Sequence, residues 1–372
     1  MPNTQPLDLA LCDALIQRYQ PDIDAMTGKG WDHCNSGILS GMSKIYSRRD
    51  KPAYLDYIAR FVDRYVAADG SVSHLSDTLD ETHPGLLCLF MFEQTGQARY
   101  RTAARIMRDH FLGTPDHPSP FRKTKDGGYW HKNMEKYRNV MSVDGIYMAY
   151  PFLTRYAALF GDAEALDTVV QQILMISERS FNITNGLPYH AWHAEKSFAW
   201  ANPITGTSPH FWSRASGWYA MGLVDVLEDL PADHAGRATL AFLFRSLAEG
   251  VRRHQHADGM WYHVLDRVNE AGNYPESSAT GMLVYALQKG VRIGLLPQDF
   301  ADCAQRGWQA LQTYIATYSD GGPQVCSVAP AMGVQQDYAA YVAIRPVNVP
   351  CAQGVQHPHG YIGALMAAAE MA

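Results

Sequence analysis

Apolar residues recur at three- and four-residue spacing along almost the whole chain, as they do in helices that bury one face. The first two stretches run from Leu9 to Tyr19 and from Tyr54 to Tyr65. Ten similar stretches cover about 35–48, 83–95, 98–112, 144–160, 162–178, 211–229, 235–252, 277–295, 298–318 and 360–371. The pattern predicts about twelve helices, with only short strands near 187–193 and 260–265, where aromatic residues follow a glycine.

The predicted helices form pairs, and a turn with an Asp-Gly or Asn-Gly dipeptide follows the second helix of a pair. These turns are Asp69-Gly70, Asp126-Gly127, Asn185-Gly186, Asp258-Gly259 and Asp320-Gly321. The repeating pair predicts an all-α fold, and we expect an (α/α)₆ barrel: a toroid of six helix pairs in a single domain over 1–372. All the turns would then lie at one end of the toroid and form a cleft. An open superhelix is the alternative that the spacing leaves open.

The composition narrows the class of protein. Hydrophobic residues make up 47% of the chain and charged residues 18%, which is typical of a globular protein and argues against disorder. The formal net charge of −6, with no block of basic residues, argues against a nucleic-acid partner. Apolar runs are shorter than the roughly 18 residues of a membrane span, and the first residues lack the pattern of a signal peptide. We therefore expect a cytoplasmic protein with no membrane partner.

Metal and cofactor sites are not expected from the motifs. The six cysteines lie far apart, without a C-x-x-C motif or a His/Cys ligand spacing, and this predicts reduced, mostly buried thiols. Phosphate-binding loops of the G-x-G-x-x-G or Walker type and the G-x-S-x-G elbow of serine hydrolases are also missing from the sequence.

Two acidic residues directly precede predicted helices. Asp80 lies in the segment LDETHPG (79–85), and Asp144 opens a strongly apolar helix. Either carboxylate could simply cap its helix, since an acid is stabilised at a helix N-terminus. The apolar neighbours of Asp144, however, favour the protonated form of a carboxyl group, which suits a proton donor.

Aromatic and cationic residues cluster in two further places. Trp212, Arg214 and Trp218 lie together in one predicted helix, and aromatic residues with histidines follow three of the turns. Aromatic faces stack on sugar rings, and an arginine binds carboxylates through two parallel hydrogen bonds. The alternatives are a buried arginine paired with a structural acid, and histidines that are merely structural. Taken together with the two acids, the set predicts a site for an acidic sugar; its turn residues are His131, Lys132, His190 and His193.

Six segments carry a resemblance to a known family. They are LDETHPG (79–85), DGGYWHK (126–132), SVDGIYMAYPFLTRYAALFGD (142–162), FWSRASGWYAMGLVDVLEDLP (211–231), DGMWYHVLDR (258–267) and NYPESSATGMLVYALQKGVRIGLL (273–296). In these segments the chain resembles the unsaturated rhamnogalacturonyl hydrolases of glycoside hydrolase family 105 and, more distantly, the unsaturated glucuronyl hydrolases of family 88. The resemblance implies an (α/α)₆ barrel, in agreement with the helix repeat.

The resemblance also implies a reaction. The substrate would be an oligosaccharide with a nonreducing-end uronic acid that carries a C4=C5 double bond, and the enzyme would hydrate this enol ether without a cofactor or metal. Asp144 would protonate C4 and then help to deprotonate the water that adds at C5. Asp80 would hold substrate hydroxyls and keep Asp144 protonated. Substrate-binding positions map onto His33, His131, Lys132, His190, Trp212, Arg214 and Trp218, with Arg214 or Lys132 binding the uronate carboxylate.

The chain departs from the family pattern in three places. Glu81-Thr82 replaces an Asp followed by an aliphatic residue, His33 stands where an aromatic of Tyr type is expected, and the loop 132–140 is slightly long. These departures leave the leaving sugar open, with rhamnose as the expected one. The alternatives are a family 88-like hydrolase of unsaturated glucuronyl disaccharides, a sugar-binding toroid without activity, and an epimerase-like relative.

Overall fold

Fourteen α-helices make up most of the computed structural model, which describes residues 5–352 and 356–372. In chain order they are α1 (Leu7–Arg18), α2 (Asp24–Thr27), α3 (His33–Arg49), α4 (Pro52–Asp63), α5 (Gly85–Thr95), α6 (Ala98–Leu112), α7 (Gly145–Phe160), α8 (Ala163–Ser180), α9 (Ser213–Asp229), α10 (Arg237–Arg253), α11 (Ser277–Arg292), α12 (Asp299–Thr313), α13 (Tyr338–Ala343) and α14 (His359–Met371). None of these helices is long and apolar enough to cross a membrane.

Six of the helices form a closed inner ring. In order around the ring they are α3, α5, α7, α9, α11 and α14; each contacts the next, and α14 also contacts α3. Their residues are buried on nearly all sides, as expected for helices enclosed by protein. The predicted (α/α)₆ barrel is therefore confirmed, and the open superhelix is excluded.

The other long helices, α1, α4, α6, α8, α10 and α12, pack outside this ring. Each of them buries one face and exposes the other. In α4, for example, the side chains of Tyr54, Tyr57, Ile58, Phe61 and Val62 are fully buried, while the intervening polar residues face solvent. This one-sided burial is the physical origin of the three- and four-residue spacing in the sequence.

Two inner helices touch through their backbones. A Cβ atom added at Gly281 of α11 would lie 2.3 Å from the carbonyl oxygen of Gly363 in α14, and one added at Gly363 would lie 2.3 Å from the oxygen of Ser278. Only glycine permits this approach. The two helices bring Glu276 and His359, at or next to their N-terminal ends, to the same mouth of the barrel.

The predicted glycine turns lie between five of the six outer helices and the next inner helix. Gly70, Gly127, Gly186, Gly259 and Gly321 all have positive φ, between 73° and 93°. Each turn follows the C-terminus of α4, α6, α8, α10 or α12 and precedes the next inner helix. The loops that carry them therefore lie at the end of the barrel where the inner helices begin.

In the part of the chain that the structure describes, the strands are short and lie in these loops. β1 (Val140–Ser142) pairs with β4 (Ala191–His193), β2 (Phe181–Asn182) pairs with β3 (Leu187–Pro188), and β5 (Ile315–Thr317), β6 (Pro323–Val328) and β7 (Val347–Val349) form an antiparallel sheet. The strands predicted near 187–193 are confirmed as β3 and β4.

Two local predictions are wrong. No strand forms over 260–265, where Tyr262 and Val264 make only isolated bridges, to Pro275 and Trp212. The helix predicted over 298–318 ends at Thr313, because the following residues pair with β6 across the Gly321 turn. This pairing partner lies beyond the helical stretch, so the spacing of apolar residues does not report it.

Candidate active site

The loops at the N-terminal ends of the inner helices surround a cavity of about 340 Å³. Nine of the ten residues that the sequence assigns to the site line it: His33, Asp80, His131, Lys132, Asp144, His190, Trp212, Arg214 and Trp218. Four of them, His33, Asp144, Trp212 and Arg214, lie at or directly before the first turn of an inner helix. Because helix N-termini carry partial positive charge, this end of the barrel favours an anionic ligand.

Asp144 occupies the N-cap position of α7, but its side chain forms no capping hydrogen bond. The side chain is 15% exposed, and Oδ1 is buried without a hydrogen-bond partner among the described residues. The interpretation of Asp144 as a mere helix cap is therefore wrong. A buried carboxyl oxygen without a partner is costly to retain, which is typical of a functional group rather than a structural one.

His190 lies beside Asp144. Its Nε2 is 3.5 Å from Oδ2 of Asp144, and its Nδ1 is 3.1 Å from the hydroxyl of Tyr341 in α13. The imidazole also packs on Trp212, with ring centroids 4.6 Å apart. His190 follows β3 and is only 2% exposed, so its orientation is fixed by these contacts.

Asp80 lies at the centre of a cluster of one lysine and two histidines. It sits in a short 3₁₀ helix, Leu79–Glu81, and is 2% exposed. Lys132 forms an ion pair with it, Nε2 of His131 is 3.3 Å from Oδ1, and Nδ1 of His33 is 3.4 Å from Oδ2. Burial alone would raise the pKa of Asp80, but these three neighbours hold it well below its usual value, so the carboxyl is ionised.

The same cluster changes the pKa values of its basic side chains. Burial opposes the charged form of Lys132, yet the charge of Asp80 raises the pKa of the lysine above its usual value. In contrast, burial lowers the pKa of His131, whose imidazole also feels the charge of Asp144. His131 is thus a neutral group beside Asp80, whereas Lys132 is a permanent cation.

Arg214 is buried to 99% without an ion-pair partner among the described residues. Its guanidinium donates hydrogen bonds to the carbonyl oxygens of Ala329 (2.5 Å) and Pro330 (2.7 Å) and lies over the ring of Trp212, 4.5 Å from the centroid. Nε has no partner in the described part of the chain. The alternative of an arginine paired directly with a structural acid is therefore wrong, because the buried Glu276 instead accepts hydrogen bonds from Ser278 and nearby amides.

The two tryptophans line the cavity but expose little of their rings. Trp212 is 1% exposed and Trp218 is 2% exposed. Trp212 donates from Nε1 to Nδ1 of His263, and Trp218 stacks on Tyr147 with centroids 5.2 Å apart. Their ring faces are thus largely covered by protein, and the sugar-stacking role expected for them is restricted to the ring parts that reach the cavity.

One histidine that the sequence groups with the site lies outside the cavity lining. His193, at the end of β4, stacks on Phe198 with centroids 4.2 Å apart. One ring nitrogen is 3.1 Å from the carbonyl oxygen of Arg138, and the other accepts a hydrogen bond from the amide of Ser197. These contacts give His193 a structural role in the loop.

Sequence reasoning missed several residues of the cavity wall. Asp32, Cys34, Tyr137 and His359 line it, as does the loop from Ala331 to Val334. His359 is the first residue of α14, as His33 is the first residue of α3. A position at or directly before the start of an inner helix could therefore have indicated a residue of the cavity wall. The loop from Ala331 gave no such signal, since contacts with distant residues place it here, among them the hydrogen bonds of Arg214 to Ala329 and Pro330.

A second cavity of about 480 Å³ lies at the opposite end of the barrel. Its charged residues neutralise one another: Nζ of Lys289 is 2.7 Å from Asp225 and 2.6 Å from Glu228, and Arg155 pairs with Asp229 at 2.9 Å. The inner helices end here, and helix C-termini disfavour anions. The first cavity is therefore the better candidate for an acidic sugar.

Comparison with known proteins gives the following likenesses. The model of Glycosyl Hydrolase Family 88 matches residues 10–372. A glycoside hydrolase of family 105 from C. acetobutylicum has a similar structure, with a TM-score of 0.87 and 29% identity over 98% of this chain and 99% of that one. Protein Atu3128 of Agrobacterium fabrum is 38% identical over 171 residues, 46% of this chain and 72% of its own. Unsaturated rhamnogalacturonyl hydrolase YesR of Bacillus subtilis is 22% identical over 288 residues, 76% of each chain.

Proposed function

Because the chain belongs to Glycosyl Hydrolase Family 88, we propose that it removes a 4,5-unsaturated uronic acid from the nonreducing end of oligosaccharides that a polysaccharide lyase has cut. The resemblance read from the sequence is confirmed by this family match and by the similar family 105 structure, and the chain is a glycoside hydrolase. The single observation that carries the proposal is the carboxyl group of Asp144, which faces the cavity without a capping bond.

The proposed reaction begins with proton transfer from Asp144 to C4 of the unsaturated ring. Protonation of C4 breaks the double bond and leaves positive charge on C5, which the ring oxygen stabilises. A positioned carboxyl group can supply such a proton efficiently because substrate and acid are held at close range. His190, 3.5 Å from Oδ2, holds the carboxyl in place during this step.

The second step uses the carboxylate that remains. It accepts a proton from the water whose oxygen adds at C5, which restores the acid form of Asp144 and produces a hemiketal. The hemiketal then opens, the glycosidic bond to the leaving sugar is broken, and a keto-deoxyuronate is released. The anomeric carbon is never attacked, so the spacing rule for paired glycosidase carboxylates does not apply.

The charges of the cavity support an anionic substrate. Lys132 is a permanent cation near the opening, Arg214 is a buried cation with no acid paired to it among the described residues, and the N-termini of four inner helices contribute to the cavity wall. We assign the uronate carboxylate to Lys132 or Arg214. Arg214 has Nε and one hydrogen of Nη2 left to donate, while Lys132 would have to share its ammonium group with Asp80.

Asp80 is assigned to binding rather than to proton transfer. Its ionised carboxylate accepts hydrogen bonds from substrate hydroxyls. The second role expected for it, keeping Asp144 protonated by repulsion, has weaker support. Lys132, His131 and His33 surround its carboxylate and screen its charge.

The leaving sugar is proposed to be rhamnose, as the name of the similar YesR protein suggests for that enzyme. A cytoplasmic location, which would suit trimming of imported short oligosaccharides, likewise stays a prediction.

The proposal is tested with a panel of lyase-generated unsaturated disaccharides, half from rhamnogalacturonan and half from glycosaminoglycans. We expect the ultraviolet absorbance of the conjugated alkene to disappear with turnover of a rhamnose-linked member. In deuterium oxide, the product should carry deuterium at C4, and in ¹⁸O-water it should carry the label at C5.

Three results would contradict the proposal. Release of the leaving sugar with the absorbance retained would indicate a conventional attack on the anomeric carbon. An equilibrium mixture of intact sugars would indicate an epimerase. Affinity without turnover for every member would indicate a binding protein. Turnover of the glucuronyl members alone would agree with the proposed reaction but would contradict rhamnose as the leaving sugar.

A further inference from the structure

Three metal-ligating side chains meet at one wall of the cavity, although the proposed hydration gives none of them a proton to transfer. They are His33 and Cys34 at the start of α3 and His359 at the start of α14. One donor atom of each lies within 4.8 Å of the other two, and Nε2 of His33 is 3.7 Å from Sγ of Cys34. All three residues line the cavity.

These spacings fit a tetrahedral metal ion. Zinc binds thiolate sulfur at about 2.3 Å and imidazole nitrogen at about 2.1 Å, so a tetrahedral angle separates the two donors by about 3.6 Å. The 3.7 Å between His33 and Cys34 corresponds to one edge of such a tetrahedron. Three protein ligands around zinc leave the fourth position to water or another ligand, here on the cavity side.

His359 provides an independent indication of a ligand. The residue is 5% exposed, and its Nδ1 has no hydrogen-bond partner among the described residues. Burial removes the hydrogen bond that this nitrogen would make to water. Without a partner to replace it, the folded state loses free energy. The ring centroid is 5.9 Å from that of His33, so both imidazoles face one region of the cavity wall.

The surroundings of His33 match the outer contacts of known metal sites. Nδ1 of His33 lies 3.1 Å from Oδ1 of Asp32 and 3.4 Å from Oδ2 of Asp80. Carboxylates on the far nitrogen of a ligating histidine orient the ring and make its other nitrogen a better donor. The two carboxylates also supply negative charge, which opposes the repulsion of the ion by Lys132 and Arg214.

We propose that His33, Cys34 and His359 form a binding site for a divalent cation of the zinc class, with the fourth coordination position open to the cavity. The sequence predicted no metal site because Cys34 and His359 lie near opposite ends of the chain, and only closure of the inner ring brings them together. Binding of the ion does not depend on the hydrolase activity proposed above, so the two proposals fail separately.

The test is a titration of the reduced, metal-stripped protein with Co²⁺, followed by visible and near-ultraviolet absorbance. We expect one ion per chain, intense tetrahedral d–d bands, a thiolate-to-cobalt charge-transfer band, and loss of all of them when Zn²⁺ is added. Cys34→Ser should remove the charge-transfer band, and His359→Gln should weaken binding by about 100-fold. Cys326→Ser, which removes a thiol outside the cavity, should change neither.

Either of two results would overturn the proposal: no stoichiometric Co²⁺ binding to the wild-type protein, or a charge-transfer band that survives in Cys34→Ser. A second measurement covers the case in which Cys34→Ser does not fold. In the wild-type protein, Zn²⁺ should protect Cys34 from alkylation, as read by mass spectrometry of its peptide, and should leave Cys326 and Cys351 reactive. Equal alkylation of Cys34 with and without Zn²⁺ would contradict the site.

Discussion

Nε2 of His190 lies 3.5 Å from Oδ2 of Asp144, while the other nitrogen of the same ring lies 3.1 Å from the hydroxyl of Tyr341. The histidine is therefore held on one side by a buried tyrosine and presents its other side to the proposed proton donor. Because Asp144 has no capping bond to its own helix, His190 is the polar side chain that the structure places beside it. We infer that His190 is a positioning residue.

Replacement of His190 tests this relationship. His190→Asn should lower kcat by about 100-fold, because an error of about 1 Å in the position of a catalytic group costs a factor of that order. KM should change little, because Asp144 acts on C4 of the substrate and does not bind the uronate carboxylate. Tyr341→Phe, which removes only the hydroxyl beside the ring, should cause a smaller loss. Equal kcat values for His190→Asn and the wild type would contradict the assignment.

Arg214 is expected to have two roles: it holds the cavity wall in place, and it supplies a positive charge. The guanidinium donates to two carbonyl oxygens, of Ala329 and Pro330, at the base of the loop that continues into the cavity wall. Arg214→Lys keeps the positive charge but cannot bind both carbonyls with the same geometry. We predict a KM at least about tenfold higher and a loss of about 1–3 kcal/mol in the free energy of unfolding, measured by denaturant titration. An unchanged KM would show that this loop does not contact substrate.

His263 should make the stability of the protein depend on pH. Burial, followed by the charge of Arg214, lowers the pKa of His263 to about 3, so the folded protein keeps this ring neutral. The unfolded chain binds a proton near the ordinary value of about 6.5, and the folded chain does not. Stability is therefore complete above about pH 6.5 and is lost as the pH falls toward 3, by up to about 1.4 kcal/mol per pH unit.

This pH effect is measured by comparing unfolding free energies at pH 7 and pH 5. His263→Gln should reduce the difference between the two values, whatever its effect on stability at pH 7. His117→Gln, at an exposed position, should leave the difference as it is in the wild type. If His263→Gln shows the same dependence as the wild type, another group is responsible.

The fold could be predicted from the sequence because its helices are amphipathic and its turns are chemically distinctive. The outer helices expose one face, so their apolar residues recur with the period of the helix, as in α4. The five glycine turns need positive φ, and the sequence supplies glycine at each. The end of α12 at Thr313 could not be predicted, since it is set by the pairing of β5 with β6 across the Gly321 turn, which the spacing of apolar residues in the helix does not report.

The site could be predicted in its residue types but not in its contacts. A carboxylate that caps a helix and one that serves catalysis occupy the same position in a sequence, and only the missing capping bond of Asp144 separates them. The ion pair between Lys132 and Asp80 depends on how two separate loops fold together. The same is true of Cys34 and His359, which no local spacing connects.

The measurement that tests the account most directly is the turnover of Asp144→Asn on a rhamnose-linked unsaturated disaccharide, followed by loss of alkene absorbance. An asparagine amide can neither protonate C4 nor accept a proton from water, so we predict a loss of kcat on the order of 10⁴-fold. Calorimetry should show that the variant still binds the disaccharide and melts as a folded protein. The control Asp233→Asn, at an exposed position, should keep full activity. A folded Asp144→Asn protein with activity within about tenfold of the wild type would contradict the central claim, because proton transfer would then have to come from another residue.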